Sequence, residues 1–224
     1  MSASERRPSG LSADLRARVL AEAARAPAPT RREHRTKIAI IAAASVIATM
    51  GLFFATGGLF RGARPMELVA FTAGFGLVAA LVLTRVAGRV SGSMLGRPRQ
   101  VLLLGCVLAA PVLAIVACAA GALWPEHAAE QVPSHAHLGC GLLTIVQGAL
   151  PLAALLVPRR GSDPVHPALT GAALGMTAGA WTAMMAYLRC PHAAVLHCVG
   201  AHVVPTLVLT AAGALLGRAL LKIR

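Results

Sequence analysis

Acidic side chains are scarce in this sequence: Asp and Glu number only 8 in 224 residues, and charged residues of both signs reach just 13%. A soluble domain carries about 25%, so a water-soluble globular fold is excluded as the working class. Aromatic residues are also few, at 4%. The formal net charge of +13 would point to nucleic acid if the Lys and Arg formed one stripe with aromatic residues between them. They instead separate apolar runs, and direct nucleic-acid binding is not expected. Five cysteines, an odd number, argue against a fully paired disulfide framework. The phosphate-binding, GxSxG and HExxH motifs are missing, and the acidic residues beyond the first 37 positions are only Glu67, Glu126, Glu130 and Asp163. With no constellation that would set a nucleophile beside a base, the sequence does not read as an enzyme.

Apolar residues make up 57% of the chain, and six runs contain no Asp, Glu, Lys, Arg or His: 38–60, 68–84, 101–125, 138–158, 167–187 and 203–217. A hydrocarbon core about 30 Å thick takes about 20 apolar residues of helix. The expected fold is therefore all-α and polytopic, with six transmembrane helices over residues 38–224 and a tail over residues 1–37. Basic residues set the orientation. The tail holds nine Lys and Arg, the second loop four (Arg85, Arg89, Arg97, Arg99), the fourth loop Arg159 and Arg160, and the C-terminal end Arg218, Lys222 and Arg224. The opposite loops hold only Arg61, Arg64 and Arg189. Both termini are thus expected in the cytoplasm of a multi-pass inner-membrane protein. The first apolar run begins late and is too long for a signal peptide, so it reads as an uncleaved span.

Within the tail, Leu11, Leu15, Val19 and Ala23 recur every fourth residue, with Leu20 beside them. They predict a short amphipathic helix with Ser12 at its N-cap and Asp14 in its first turn. Such a helix either lies on anionic lipid headgroups or docks its apolar face in a groove on a cytoplasmic partner.

No Asp, Glu, Lys or Arg sits near the middle of a span, which argues against an ion-coupled transporter or pump. Gly171, Gly175 and Gly179, with Gly213 and Gly217, predict close helix packing. Pro111, Pro151 and Pro205 fall inside spans, where each frees a carbonyl. The His and Cys are distributed unevenly: His127, His135, His137, Cys140, Cys190, His192, His197, Cys198 and His202 all fall on the non-cytoplasmic half. His137 with Cys140 and Cys198 with His202 have helix-face spacing, so the four can form a Cys2His2 metal site or bind haem. Two other readings stay open: a thiol switch, and cysteines acting as small apolar residues.

The segments His137-Leu138-Gly139-Cys140, Asp163-Pro164-Val165-His166-Pro167, Gly171-Ala172-Ala173-Leu174-Gly175, Arg189-Cys190-Pro191 and Gly200-Ala201-His202-Val203-Val204-Pro205 resemble the six-span anti-sigma factors of the NrsF-like type. The likeness covers the chain from about Ser134 onward. In size and layout it is most similar to the carotenogenesis anti-sigma factors of the CarR type. The resemblance implies that the tail holds an extracytoplasmic-function sigma factor away from RNA polymerase and releases it on a signal such as light or singlet oxygen. Release would follow destruction of the membrane part, for example by a membrane protease. In sequestration by the amphipathic helix, Leu11, Leu15, Val19 and Leu20 are expected to anchor the sigma factor while Arg16, Arg18 and Arg25 meet its acidic residues; the resemblance further implies that Cys140 and Cys190 sense the signal. The tail has room for one short helix, so the basic loop 85–100 is expected to assist. The His-x3-Cys-x2-Cys motif of redox-sensing relatives is lacking. The competing class is a small membrane redox or metal- or haem-binding protein built on the outward His and Cys.

Overall fold

The computed structural model describes residues 14, 17–18, 21, 31–55, 57, 64–90, 97–160 and 165–222. Leu11, Leu15, Arg16, Val19 and Leu20 of the expected sigma-binding face lie outside the described residues. The chain divides into two units, Met1–Lys37 and Ile38–Arg224. In the first unit, Asp14 and Arg18 are helical, and their exposed side chains pair at 3.1 Å across one helical turn.

Most of the described residues are helical, with no strand among them. In chain order they form α1 (Arg31–Ala55), α2 (Met66–Val90), α3 (Arg97–Val107), α4 (Ala109–Leu123), α5 (Pro125–Ala128), α6 (Ser134–Leu156), a tight turn (Val157–Arg159), α7 (Pro167–Arg189), α8 (Val195–His197), a widened π turn (Cys198–Val203) and α9 (Val204–Leu220). Four stretches among the described residues are long and apolar enough to cross a membrane: Met66–Ala87, Gln100–Leu123, Ser134–Arg159 and Val195–Leu220. These correspond to four of the six apolar runs.

α7 is the inner helix. It packs against α9, α2, α6 and α3, and 16 of its 23 residues are buried. Its sequence explains the position. Gly171 and Gly175 face Gly213, Gly217 and the Leu209 carbonyl of α9, where any Cβ would run into backbone. The two backbones therefore approach as closely as small-residue stripes allow. Two buried hydroxyls of α7 are satisfied within the helix: Thr177 donates to the Ala173 carbonyl at 2.8 Å and Thr182 to the Ala178 carbonyl at 3.1 Å. Across to α2, the Trp181 indole N–H donates to the Thr84 hydroxyl at 2.9 Å. Ala80, Leu83, Leu103, Cys106, Ala110, Ala173 and Met176 close the core between α2, α3, α4 and α7.

The outward faces are apolar too. Leu138, Leu142, Val146 and Leu150 of α6 form an exposed stripe at four-residue spacing, and Phe75, Val78, Leu81 and Val82 form another on α2 at spacings of three and four. Apolar side chains displayed in rows fit hydrocarbon rather than water. Pro111 removes the N–H that would bond the Val107 carbonyl, and the break between α3 and α4 falls there, at Leu108.

Candidate functional site

One end of the bundle gathers His and Cys from three segments, and proline chemistry places two of them. Pro191 disfavours helical backbone at the residue before it. Cys190 accordingly leaves α7 in extended conformation, with its N–H still bonded to the Ala186 carbonyl at 3.0 Å. Pro205 removes the bond to the Ala201 carbonyl, and its ring crowds that carbonyl. The chain opens into the π turn Cys198–Val203 immediately before, and the Thr144 hydroxyl of α6 comes within 3.4 Å of the Ala201 oxygen. π turns of this kind are frequent at functional sites.

The wider turn changes which residues share a face. Spacing alone puts Cys198 over His202. In the structure His197 and His202 meet edge to face instead, with ring centroids 5.3 Å apart. Cys198 turns away to pack on Ala117 and Tyr187. Cys140 from the second turn of α6 meets Cys190 with sulfurs 3.8 Å apart, and both are free thiols. The His197 Nε2 lies 3.0 Å from the Cys190 sulfur. The donor atoms of Cys140, Cys190, His197 and His202 all lie within 4.8 Å of one another.

Of the residues expected from sequence as ligands, Cys140 and His202 therefore belong to this group, while His137 and Cys198 do not. His137 stands directly behind it, its Nδ1 3.3 Å from the His197 Nδ1. One of those nitrogens carries the proton and the other accepts it. Cys140 and Cys190, the expected sensing pair, are brought together. His197, noted in the sequence as one of the clustered histidines, was not among the four expected ligands; the signal available was Pro205, since a proline that widens the preceding turn pairs residues five apart.

The surroundings hold the loop after α7. Glu130 accepts from His192 Nδ1 at 2.7 Å and from the Ala193 N–H at 3.4 Å. Partial burial opposes ionisation of Glu130, but these two hydrogen bonds prevail and its carboxyl is held below the usual carboxylate range. The His192 N–H donates to the Cys190 sulfur at 3.5 Å. Contact with the Cys140 sulfur, followed by burial, pushes the Cys190 thiol up from its ordinary value. Arg64 donates to the Tyr187 and Leu188 carbonyls at 3.3 and 3.4 Å and lies over the Tyr187 ring, 4.8 Å from its centroid. It thus satisfies the last carbonyls of α7 at the negative end of the helix dipole.

Chemically, such a group can exchange protons between thiol and imidazole, close a disulfide if an external oxidant takes two electrons, two protons leave and the sulfurs move to bonding distance near 2.05 Å, or hold a cation. No curated protein and no solved structure matches the chain. A family model described as NrsF, negative regulator of sigma F, matches residues 20–222.

Proposed function

The chain belongs to the NrsF family of negative regulators of sigma F, and from that membership we propose that it is a membrane-bound anti-sigma factor for an extracytoplasmic-function sigma factor. The single observation that carries the proposal is the extent of the family match, from residue 20 to residue 222. It takes in the whole helical bundle and the end of the tail.

In this reading six helices cross the inner membrane and both termini are cytoplasmic. Two spans beyond the four apolar ones are needed, and α1 and α7, with 25 and 23 residues, have the length. An inner helix surrounded by protein does not need the hydropathy that lipid contact demands, which suits α7. The basic residues then lie 18 against 3 on the cytoplasmic side, summed from the tail, loops and C-terminal end. The sigma factor is held by the tail, with Leu11, Leu15, Val19 and Leu20 as apolar anchors and Arg16 and Arg18 as charged contacts. Cys140 and Cys190 receive the signal, and release follows loss of the membrane part through a membrane protease. Following the likeness in layout to carotenogenesis regulators, that signal is light or singlet oxygen and the output is carotenoid synthesis.

The test uses the full-length chain in its host, with promoter output and co-purification of the sigma factor as readouts. A few desolvated apolar anchors dominate such interfaces. Leu15→Asp with Val19→Asp is therefore expected to release one small sigma factor and derepress its promoter, while Arg18→Ala has a smaller effect. Equal capture and equal repression by the double variant would rule out the tail as the contact.

A further inference from the structure

We propose that Cys140, Cys190, His197 and His202 form a binding site for a thiophilic divalent cation, with Zn2+ as the best-fitting occupant. The site shares its cysteines with the sensing role proposed above, but it rests on geometry alone and its readout needs no sigma factor.

Two observations carry the inference independently. The first is the spacing of the donors. A tetrahedral cation with Zn–S bonds of about 2.3 Å holds two sulfurs about 3.8 Å apart. The Cys140 and Cys190 sulfurs stand at 3.8 Å as free thiols, with both imidazoles inside the same 4.8 Å envelope. The second is His202. It is 4% exposed, and neither of its ring nitrogens has a hydrogen-bond partner among the described residues. A buried imidazole left unpaired costs free energy, whereas a cation facing Cys140, Cys190 and His197 would take up its lone pair.

Charge supports the same occupant. Binding replaces the two thiol protons, which leave to solvent, so that one dication and two thiolates sum to a neutral centre. A neutral centre suits a buried position, where a lone thiolate would not. The His197 ring is already oriented: its Nε2 faces Cys190 while its Nδ1 engages His137, as ligating histidines commonly engage a partner on their other nitrogen. Entry is available through a cavity of about 390 Å³ between Gly139, Cys140 and Leu143 on one side and Arg189 and Cys190 on the other.

The experiment is Co2+ titration of the full-length, reduced protein in detergent, followed by displacement with Zn2+. Tetrahedral d–d bands together with thiolate-to-cobalt charge transfer, both abolished by Zn2+, are expected. Cys140→Ser and His202→Phe should each weaken Co2+ binding at least about tenfold, with helicity checked by circular dichroism, while Cys198→Ser should bind as the wild type does. X-ray absorption of the Zn2+-loaded wild type provides a readout that no folding defect can confuse, and should give two sulfur and two nitrogen neighbours. Absence of the thiolate spectrum in reduced wild type overturns the proposal, as does a zinc shell without sulfur or a folded His202→Phe that binds normally. Loss of sigma-factor capture with the metal spectrum intact would count against the regulatory reading alone.

Discussion

At the scale of single residues, the His and Cys site depends on groups beyond its four donors. His137 engages the far nitrogen of the His197 ring. His137→Ala is therefore expected to weaken cation binding by about 10- to 100-fold, as loss of such partners does elsewhere, while leaving the sulfur charge-transfer band in place at saturating Co2+. Glu130 gives a pH prediction with a definite sign. Its folded carboxyl ionises below the usual value of 4.5 because His192 and the Ala193 N–H stabilise the anion against partial burial. Its contribution to stability is thus full above that value and is lost as the pH falls through the lower, folded one. Thermal melts of the solubilised protein across the acid range should show that fall, and Glu130→Gln should flatten it. The thiol pair was legible as two residue types at notable positions. The Glu130 contacts, which join residues more than 60 positions apart, were not.

At the scale of elements, two helix irregularities decide the arrangement. The π turn before Pro205 brings His197 and His202 to one face. Pro205→Ala restores the missing N–H and removes the ring, so ordinary α register should return and carry His202 out of line with His197. The measurable outcome is unchanged overall helicity with Co2+ affinity reduced at least about tenfold. The α7–α9 contact makes the opposite demand, for regularity and small size. A Cβ at Gly175 would meet the Leu209 carbonyl and Thr210 Cα, both backbone. Gly175→Val is therefore expected to destabilise the bundle by about 1–3 kcal/mol, the usual cost of overpacking, detectable as a lower melting temperature in detergent. The glycine stripes and the prolines are plain in the sequence. Their consequences are less so, because a stripe does not name its partner helix and a proline does not state whether the chain kinks, breaks or widens.

At the scale of the whole molecule, burial and hydropathy part company. α7 is the most enclosed helix, yet Gly, Ala and Thr fill it, whereas the rows of Leu and Val sit on the outward faces of α2 and α6. In water the pattern would be reversed. In a bilayer it follows from lipid being as apolar as Leu, so that the interior is built for close approach. The proposed six-span arrangement makes a clear prediction: alkaline phosphatase fused after Glu130 should be active, and fused after Arg85 or Asp163 inactive. A fusion after His192 should be active too, and inactivity there would show that α7 does not cross.

Composition and the long apolar runs determined that the protein is helical, apolar and basic, because those properties sum over residues and need no partner. Periodicity and spacing determined where helices pack closely and where they are interrupted. Only the tertiary structure decided which cysteines and histidines meet. Cys140 and Cys190 are 50 positions apart yet 3.8 Å apart in space, a distance set by the seating of α6 against α7. The exchange of Cys198 for His197 within the group came from one proline acting on one helical turn. Sequence spacing presumes 3.6 residues per turn, and it fails where a covalent ring forbids that geometry.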